Sequence, residues 1–198
     1  MNWLLVNTSV KAKYRNSILQ KRNALGLTEA LSISNTILKV ADLELNLSII
    51  KTLGSYFSTK NEVNPEILTH TRIKKNLLTT FPRVGSNHSM RLIAPQNLMR
   101  LCKNKYDIFE PSDGKEIHPI DHEIIIIPTV GVDKNGYRLG YGGGYYDRFL
   151  ESVIQSANRP LLVGLIYDFQ FIDDSINEPH DIKSVSYTHL TLPTNSRV

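Results

Sequence analysis

The sequence predicts an α/β fold with a mostly parallel sheet, built as a single domain. Two apolar runs, residues 124–127 and 161–167, are continuous rather than alternating, which is typical of strands buried on both faces. Helical patterns alternate with strand-like segments along the chain, and this order favours a parallel sheet. The length of 198 residues suits one domain that buries most of its apolar surface.

The elements are predicted in chain order from their patterns. The apolar positions Val10, Tyr14 and Ile18 predict a helix over residues 10–22, and a second helix is expected from Thr28. The remaining predicted elements are a strand over 52–58, a helix from Asn64-Pro65-Glu66 to about residue 78, strands over 79–84 and 90–94, a short helical piece over 98–102, and the strands 124–127 and 161–167.

Composition excludes several classes of protein. Hydrophobic residues make up 41% and charged residues 21% of the chain, as in ordinary soluble globular proteins. The single cysteine, Cys102, excludes an internal disulfide, and its apolar surroundings predict a small buried side chain. No apolar run approaches the ~20 residues of a membrane span, and the N-terminus lacks a signal-peptide layout. We therefore expect a cytoplasmic protein with no membrane partner.

The basic balance of the chain points to an anionic partner. The net charge is +4 and the isoelectric point about 9.1. The basic residues are dispersed and are not interleaved with aromatic residues, so the pattern favours binding of small anions over nucleic acid. His118 and His122 are spaced like zinc ligands on a helix, but Pro119 argues against a helix there and predicts loop histidines.

A glycine-rich stretch follows the strand 124–127. It reads RLGYGGGYYD from Arg138 to Asp147, and a helical pattern begins directly after it. The order of strand, glycine loop and helix is one that builds phosphate sites, because backbone amides and the helix N-terminus then face the anion. The stretch lacks the Gly-Lys-Ser/Thr ending of a Walker loop and the third glycine of the dinucleotide fingerprint. A bare glycine triplet is typical of a flexible turn, but the flanking arginine and aspartate favour an anion site.

The stretch from Pro128 to Arg148 resembles the signature of the 5-formyltetrahydrofolate cyclo-ligase family almost residue for residue. An N-terminal Lys11-x-x-x-Arg15 pair and the dipeptide Pro82-Arg83 are similar to further segments of that family. The resemblance implies a three-layer α/β/α fold and ATP- and Mg²⁺-dependent conversion of 5-formyltetrahydrofolate to 5,10-methenyltetrahydrofolate, with release of ADP and phosphate. We expect a monomer with this small-molecule substrate.

The family resemblance also implies roles for individual residues. Arg138 and Tyr145 match catalytic positions, and Asp147 and Asp181 match magnesium ligands. The expected ATP-binding residues are Lys11, Arg15, Arg138, Leu139, Gly140, Tyr141, Gly142, Gly143, Gly144, Tyr145 and Tyr146. The expected folate-binding residues are Phe57, Glu62, Tyr141, Gly142, Gly143, Gly144 and Tyr145. Without the resemblance, Lys11 and Arg15 fit a solvated basic helix face, and Glu62 fits a solvated loop acid.

The implied reaction needs no protein nucleophile. The formyl oxygen takes the γ-phosphoryl group of ATP, the second folate nitrogen attacks the formyl carbon, and phosphate leaves as the ring closes. Catalysis of this kind consists of positioning and charge stabilisation. Either Tyr145 or Tyr146 is expected to pack on the folate or bond the formyl oxygen, and the segment 106–111 is expected near the folate, with Glu110 or its aromatic residues as contacts.

Other classes of function stay open at this stage. They are a non-catalytic nucleotide- or folate-binding homologue, a nucleic-acid-binding module, and a sugar-phosphate isomerase or CoA-transferase-like enzyme on a related fold. The domain is expected to cover residues 1–183. Residues 184–198 resemble translated adapter sequence or a divergent C-terminus, and we expect them to replace the last strand of the family fold.

Overall fold

The computed structural model describes residues 3–154, 156–176 and 186–188. These residues form four helices, α1 (Trp3–Ala24), α2 (Leu27–Leu45), α3 (Glu66–Lys74) and α4 (Tyr145–Ile154). The strands are β1 (Thr52–Gly54), β2 (Leu78–Val84), β3 (Met90–Ala94), β4 (Leu101–Lys103), β5 (Phe109–Pro111), β6 (Lys115–Ile117), β7 (Ile124–Ile127), β8 (Gly131–Asp133), β9 (Arg138–Leu139), β10 (Leu161–Leu165), β11 (Phe171–Ile172) and β12 (Ser186–Thr188).

Seven of these strands form the main sheet, in the order β12-β10-β7-β1-β2-β3-β6. The pairings from β12 to β2 are parallel, and the two pairings at the far edge, β2 with β3 and β3 with β6, are antiparallel. Two small sheets lie beside it, β11-β8-β9 and the hairpin β4-β5. The prediction of an α/β fold with a mostly parallel sheet is confirmed.

The central strand β7 shows why the sheet has helices on both faces. Its four isoleucines are all buried, and they alternate between two cores. Ile124 and Ile126 belong to the core that α2 and α3 cover, whereas Ile125 and Ile127 belong to the core that α4 covers. Successive side chains of a strand point to opposite faces, so a continuous apolar run requires an apolar layer on each side. The three-layer arrangement is therefore confirmed.

Helix α1 packs away from the main sheet, on the small sheet that contains the glycine-rich segment. Ile18 joins a core cluster with Val130, Leu139 and Ile172. The packing is close at Gly131, where a Cβ atom would lie 2.9 Å from Ile18 Cδ1. This packing places the basic side of α1 next to the residues that follow β9.

Several predicted elements differ from the structure. The helical piece over 98–102 is wrong: β4 pairs with β5, and Cys102 is exposed because this short hairpin turns one face to solvent. The strand predicted over 52–58 ends at Gly54. The helix that begins after Pro65 ends at Lys74 rather than near residue 78, since the chain turns through Asn76, which has a φ of +55°.

The C-terminal stretch contains one described strand. Residues 186–188 form β12, which pairs in parallel with β10 at the edge of the main sheet. That residues 184–198 replace the last strand of the family fold stays a prediction. The remaining residues after 176 lie outside the described part of the chain. The proposed boundary at residue 183 stays a prediction.

Candidate active site

The candidate site is a cavity at the carboxyl end of the parallel strands, where open α/β sheets place their ligands. It encloses about 830 Å³ of space, a volume that includes the open solvent at its mouth. Its lining has an aromatic and apolar part and a glycine-rich part. The apolar part consists of Tyr56, Phe57, Pro82, Val84, Met90, Tyr106, Ile108, Phe109 and Pro128. The glycine-rich part consists of Arg138, residues 140–146 and Asp147.

The glycine-rich wall connects β9 to the first turn of α4. Gly142 and Gly144 have φ values of +92° and +66°, which side chains with a Cβ rarely adopt. The loop therefore makes a turn that ends at the helix N-terminus, where the first N–H groups have no acceptor within the helix. Arg15 supports the turn from behind, because its Nε donates to the Gly140 carbonyl oxygen at 2.8 Å. The arrangement suits an anion placed against the loop.

An ion pair closes the two ends of this loop. Arg138 Nη2 donates to Asp147 Oδ1 at 2.6 Å, and their side chains are 7% and 44% exposed. The Arg138 guanidinium also lies 5.6 Å from the centre of the Tyr146 ring. Because Asp147 lies in the first turn of α4, its charge also stabilises the positive end of the helix. The pair presents one cation and one carboxylate to the same cavity.

The predicted folate residue Glu62 is buried and held by the protein's own donors. The Tyr141 hydroxyl donates to Oε1 at 2.6 Å, and the Thr59 N–H donates to Oε2 at 2.8 Å. Burial raises the pKa of Glu62, while Tyr141, the charge of Arg22 and Thr59 lower it. Burial and the Glu62 charge in turn raise the pKa of Tyr141, so its hydroxyl keeps the proton that it donates. Glu62 is therefore a fixed acceptor in the cavity wall rather than a solvated loop acid.

Sequence reasoning missed Arg22. It is fully buried, and its Nη2 hydrogen-bonds to the Tyr141 hydroxyl while its Nη1 lies 3.8 Å from Glu62 Oε1. The available signal was its position seven residues after Arg15, which places both on one face of the helix. The burial of Arg22 beside Glu62 depends on a contact between distant segments, so the pattern of residues within the helix does not predict it.

The aromatic part of the cavity offers flat surfaces. Phe57 stacks on Phe81 with ring centres 4.4 Å apart and planes inclined by 15°. At the mouth, the hydroxyl groups of Tyr106 and Tyr145 lie 3.1 Å apart. The bond from Tyr106, and then the nearby Lys105, lower the pKa of Tyr145, whereas burial raises the pKa of Tyr146. The two adjacent tyrosines thus have different environments, one at the mouth and one inside.

Three other residues predicted to be in or near the site are not among those that line the cavity, and a fourth lies outside the described part of the chain. Lys11 lies one turn before Arg15 on α1 and is not among the residues that line the cavity. The Leu139 side chain is buried in the core with Ile18, so only its backbone is near the loop. Glu110 is buried and accepts from the Val84 N–H and Asn104 Nδ2 at 3.1 Å each, which makes it a support of the wall rather than part of the lining. Asp181 lies outside the described residues.

Two further predictions concern possible metal ligands. His118 and His122 flank a short 3-10 turn, residues 119–121, and lie on no α-helix, as predicted. His122 is also buried, and its Nε2 lies 2.7 Å from Thr80 Oγ1, so it has a structural role. Within the described part of the chain, no group of three or more His, Cys, Asp or Glu side chains is arranged to hold a metal ion. Asp147 is thus the one predicted magnesium ligand whose position is described.

Comparison with known proteins decides the family. The model of the 5-formyltetrahydrofolate cyclo-ligase family matches residues 7–187 of this chain. The chain belongs to the 5-formyltetrahydrofolate cyclo-ligase family. The family match includes every predicted site residue, from Lys11 to Asp181.

Individual cyclo-ligases agree with this assignment. A curated relative from Mycoplasma pneumoniae, named 5-formyltetrahydrofolate cyclo-ligase, is 30% identical over 87% of this chain and 94% of its own length. The mouse protein of the same name is 27% identical over 88% of this chain and 91% of its own length. The solved structure of 5,10-methenyltetrahydrofolate synthetase from Aquifex aeolicus superposes with a TM-score of 0.78 at 28% identity, covering 91% of this chain and 89% of that one. None of the helices described for this cyclo-ligase family member has both the length and the apolar character needed to cross a membrane.

Proposed function

We propose that this protein uses ATP and Mg²⁺ to cyclise 5-formyltetrahydrofolate to 5,10-methenyltetrahydrofolate, with release of ADP and phosphate. One observation carries the proposal beyond family membership. A single cavity combines a glycine-rich, charged wall suited to a polyphosphate with an aromatic wall suited to a flat heterocycle. A reaction that transfers a phosphoryl group from ATP to a folate requires both binding surfaces to line the same cavity.

The charged wall supports binding of the phosphates. The turn at Gly142 and Gly144 and the N-terminus of α4 supply backbone N–H groups, and Arg138 supplies a fixed cation. Arg15 contributes indirectly in this geometry, because it holds the Gly140 carbonyl and thereby the shape of the loop. Its pKa is lowered by burial, which is the expected cost of placing a cation behind the loop.

The residues fit a magnesium ion held mainly by its nucleotide. Mg²⁺ commonly takes one or two protein carboxylates and completes its shell with phosphate oxygens and water. Asp147 offers a half-exposed carboxylate on the rim of the cavity, beside the phosphate-binding loop. When bound there, the ion would neutralise charge on the transferring phosphoryl group. Asp181 is proposed as the second carboxylate from its match to the family pattern.

The opposite wall supports binding of the folate. A pterin ring carries N–H donors on one edge and π faces above and below. Glu62 provides a buried acceptor, and Phe57, already stacked on Phe81, provides a face for the ring. We place the formyl group between this wall and the glycine loop, so that its oxygen meets the γ-phosphorus. No side chain needs to act as a nucleophile, since the folate oxygen and nitrogen perform both attacks.

The test is the absorbance of methenyl-folate formed from 5-formyltetrahydrofolate by the purified chain. Reactions contain Mg²⁺ with or without ATP, and phosphate release is measured in parallel. We expect an ATP-dependent rise with one phosphate released per methenyl product. A folded protein that binds ATP but forms no product would refute the proposal and show a non-catalytic homologue. Product formed without ATP would equally refute it and favour an isomerase-like reaction.

A further inference from the structure

One face of helix α1 follows the cavity from the phosphate side to the folate side. Lys11, Arg15, Ile18 and Arg22 recur at spacings of three, four or seven residues, which places them in one stripe along the helix. Ile18 fixes this stripe by packing in the core under the loop. The two arginines then contact consecutive residues of the glycine-rich loop, Arg15 at the Gly140 carbonyl and Arg22 at the next residue.

Arg22 lies behind the folate wall rather than in it. Its exposure is 0%, and it is not among the residues that line the cavity. Its Nε donates to the Lys60 carbonyl oxygen at 2.9 Å, and its guanidinium carbon lies 5.5 Å from the centre of the Tyr141 ring. Among the described residues, its Nη1 has no hydrogen-bond partner, and Glu62 Oε1 lies 3.8 Å away. A buried arginine is costly unless it is paired, so this placement indicates a specific task.

The Tyr141 hydroxyl joins the two buried charges. It accepts from Arg22 Nη2 and donates to Glu62 Oε1, so the hydrogen-bonded chain runs from arginine through tyrosine to carboxylate. Tyr141 as a residue is 41% exposed, whereas its hydroxyl lies between the two charged groups. The carboxylate cannot rotate without breaking this bond and the bond from the Thr59 N–H to its other oxygen.

We propose that Arg22 is a positioning residue of the folate site: it holds the Tyr141 hydroxyl against Glu62 and so fixes the carboxylate that receives the pterin N–H groups. This inference rests on the proposed function, because it assigns the pterin to the Glu62 wall. It also connects the two binding sites physically. Tyr141 belongs to the phosphate-binding loop, so the residue that orients the folate acceptor is part of the loop that surrounds ATP.

Removal of Arg22 has a consequence for the charge of Glu62. Burial raises the pKa of this carboxyl group, and the positive charge of Arg22 counteracts that effect. The titratable groups that sense the Glu62 charge from neighbouring elements are Tyr56, Tyr141, Tyr146 and Tyr167, and burial raises the pKa of each of them. These tyrosines stay neutral and supply no replacement cation. Without Arg22, Glu62 becomes protonated at a higher pH and loses its role as a charged acceptor.

The experiment compares Arg22→Met, Arg22→Lys and Tyr141→Phe with the unchanged chain. Lys21→Met is the matched control, since it removes a cation from the adjacent, exposed position of the same helix. Arg72→Lys is the structural comparator. Arg72 is also 0% exposed, but its guanidinium donates to backbone carbonyls such as those of Leu47 and Leu78. Each variant is measured for KM of both substrates, kcat, the pH profile of kcat/KM for the folate, calorimetric folate binding without ATP, and thermal stability.

We expect the variants to weaken binding of the folate more than binding of ATP. Arg22→Met and Tyr141→Phe should raise the KM and Kd for 5-formyltetrahydrofolate about 10- to 100-fold, the effect of losing a hydrogen bond to an ion, and should raise the KM for ATP by less. The acid limb of the pH profile should move to higher pH in both variants, because the Tyr141 hydrogen bond and the Arg22 charge each lower the pKa of Glu62. Arg22→Lys keeps the charge and should restore part of the affinity. Lys21→Met should match the unchanged chain, and Arg72→Lys should lower the melting temperature without changing either KM.

Two outcomes would overturn the inference. In the first, Tyr141→Phe and Arg22→Met keep the folate KM, Kd and pH profile and differ only in stability, as Arg72→Lys does. In the second, the unchanged chain shows no folate binding at all. Folate binding that depends on Arg22 in a chain without ATP-dependent turnover would support the positioning role while it refutes the proposed function, so the two are tested separately.

Discussion

The ion pair between Arg138 and Asp147 makes the sharpest prediction about magnesium. Asp147→Asn keeps the shape of the side chain and removes its charge. The ion pair has an oxygen–nitrogen distance of 2.6 Å, but the aspartate is 44% exposed, so its contribution to stability is that of a partly solvated pair, about 1 kcal/mol or less. For a chain of this size such a loss lowers the melting temperature by only about 2–4 °C. The variant should therefore be folded under assay conditions.

The effect on the metal should be larger. A carboxylate and a dication in contact at about 2.1 Å attract each other by about 4 kcal/mol even at the dielectric constant of water. Mg²⁺ gives up tightly held water for this contact, and if roughly half of the attraction remains, the loss is about 2 kcal/mol. Since 1.4 kcal/mol corresponds to a factor of ten, the Mg²⁺ concentration for half-maximal rate should rise about 30-fold.

The assay is a titration of Mg²⁺ at fixed, saturating folate and a fixed total of ATP, followed by methenyl-folate absorbance. The matched control is Asp113→Asn, because Asp113 also pairs with an arginine, Arg100, at 3.0 Å but is not among the cavity-lining residues. That control should keep the midpoint of the unchanged chain. If the midpoint of Asp147→Asn lies within twofold of the unchanged chain, the assignment of Asp147 to magnesium is refuted.

Three further predictions concern other parts of the molecule. Arg138→Ala should raise the KM for ATP more than the folate Kd, because Arg138 lines the glycine-rich wall. A variant with the same KM and kcat for ATP as the unchanged chain would contradict this role. Gly142→Ala should cost about 1–3 kcal/mol in unfolding experiments and weaken ATP binding, since φ is +92° while the space for a Cβ is adequate, with Arg15 atoms 3.8 Å away. Burial lowers the pKa of His122 below its ordinary value of about 6.5, so the unfolded chain binds more protons and stability should fall as the pH drops through 6.5. Denaturant unfolding at several pH values should show this slope, and His122→Gln should flatten it.

The features that could be predicted from the sequence are those formed by residues close together in the chain. The apolar run of β7 and the glycine-rich stretch after it each occupy a few consecutive residues, and their physical requirements act within that stretch. Arg138 and Asp147, which have opposite charges, flank the same loop, and in the structure they form an ion pair. Asp133 shows the limit of local patterns: it is fully buried and accepts from the Ile176 N–H, 43 residues away, and no stretch of neighbouring residues indicates that contact.

The features that sequence reasoning missed depend on contacts between distant segments. Cys102 was predicted to be buried from its apolar neighbours, but among the described strands β4 pairs with β5 alone, and the Cys102 side chain is exposed. Glu110 was considered a ligand contact, but it supports the backbone at Val84. Arg22 lies on a helix whose other cations are partly exposed, and only the approach of Glu62 and Tyr141 explains its burial.

The placement of charges bears on how ATP, Mg²⁺ and a folate would share one cavity under the proposed function. Three arginines near the cavity already have partners: Arg15 holds a carbonyl, Arg22 holds Tyr141, and Arg138 holds Asp147. Of these, only the Arg138–Asp147 pair joins two lining residues with opposite charges. Under the proposed function, a polyphosphate replaces the carboxylate beside Arg138, and magnesium replaces the arginine beside Asp147. The Arg138–Asp147 ion pair is then exchanged for two, Arg138 with polyphosphate and Asp147 with magnesium, so nucleotide and metal favour each other's binding. The buried pair of Arg22 and Glu62 stays in place.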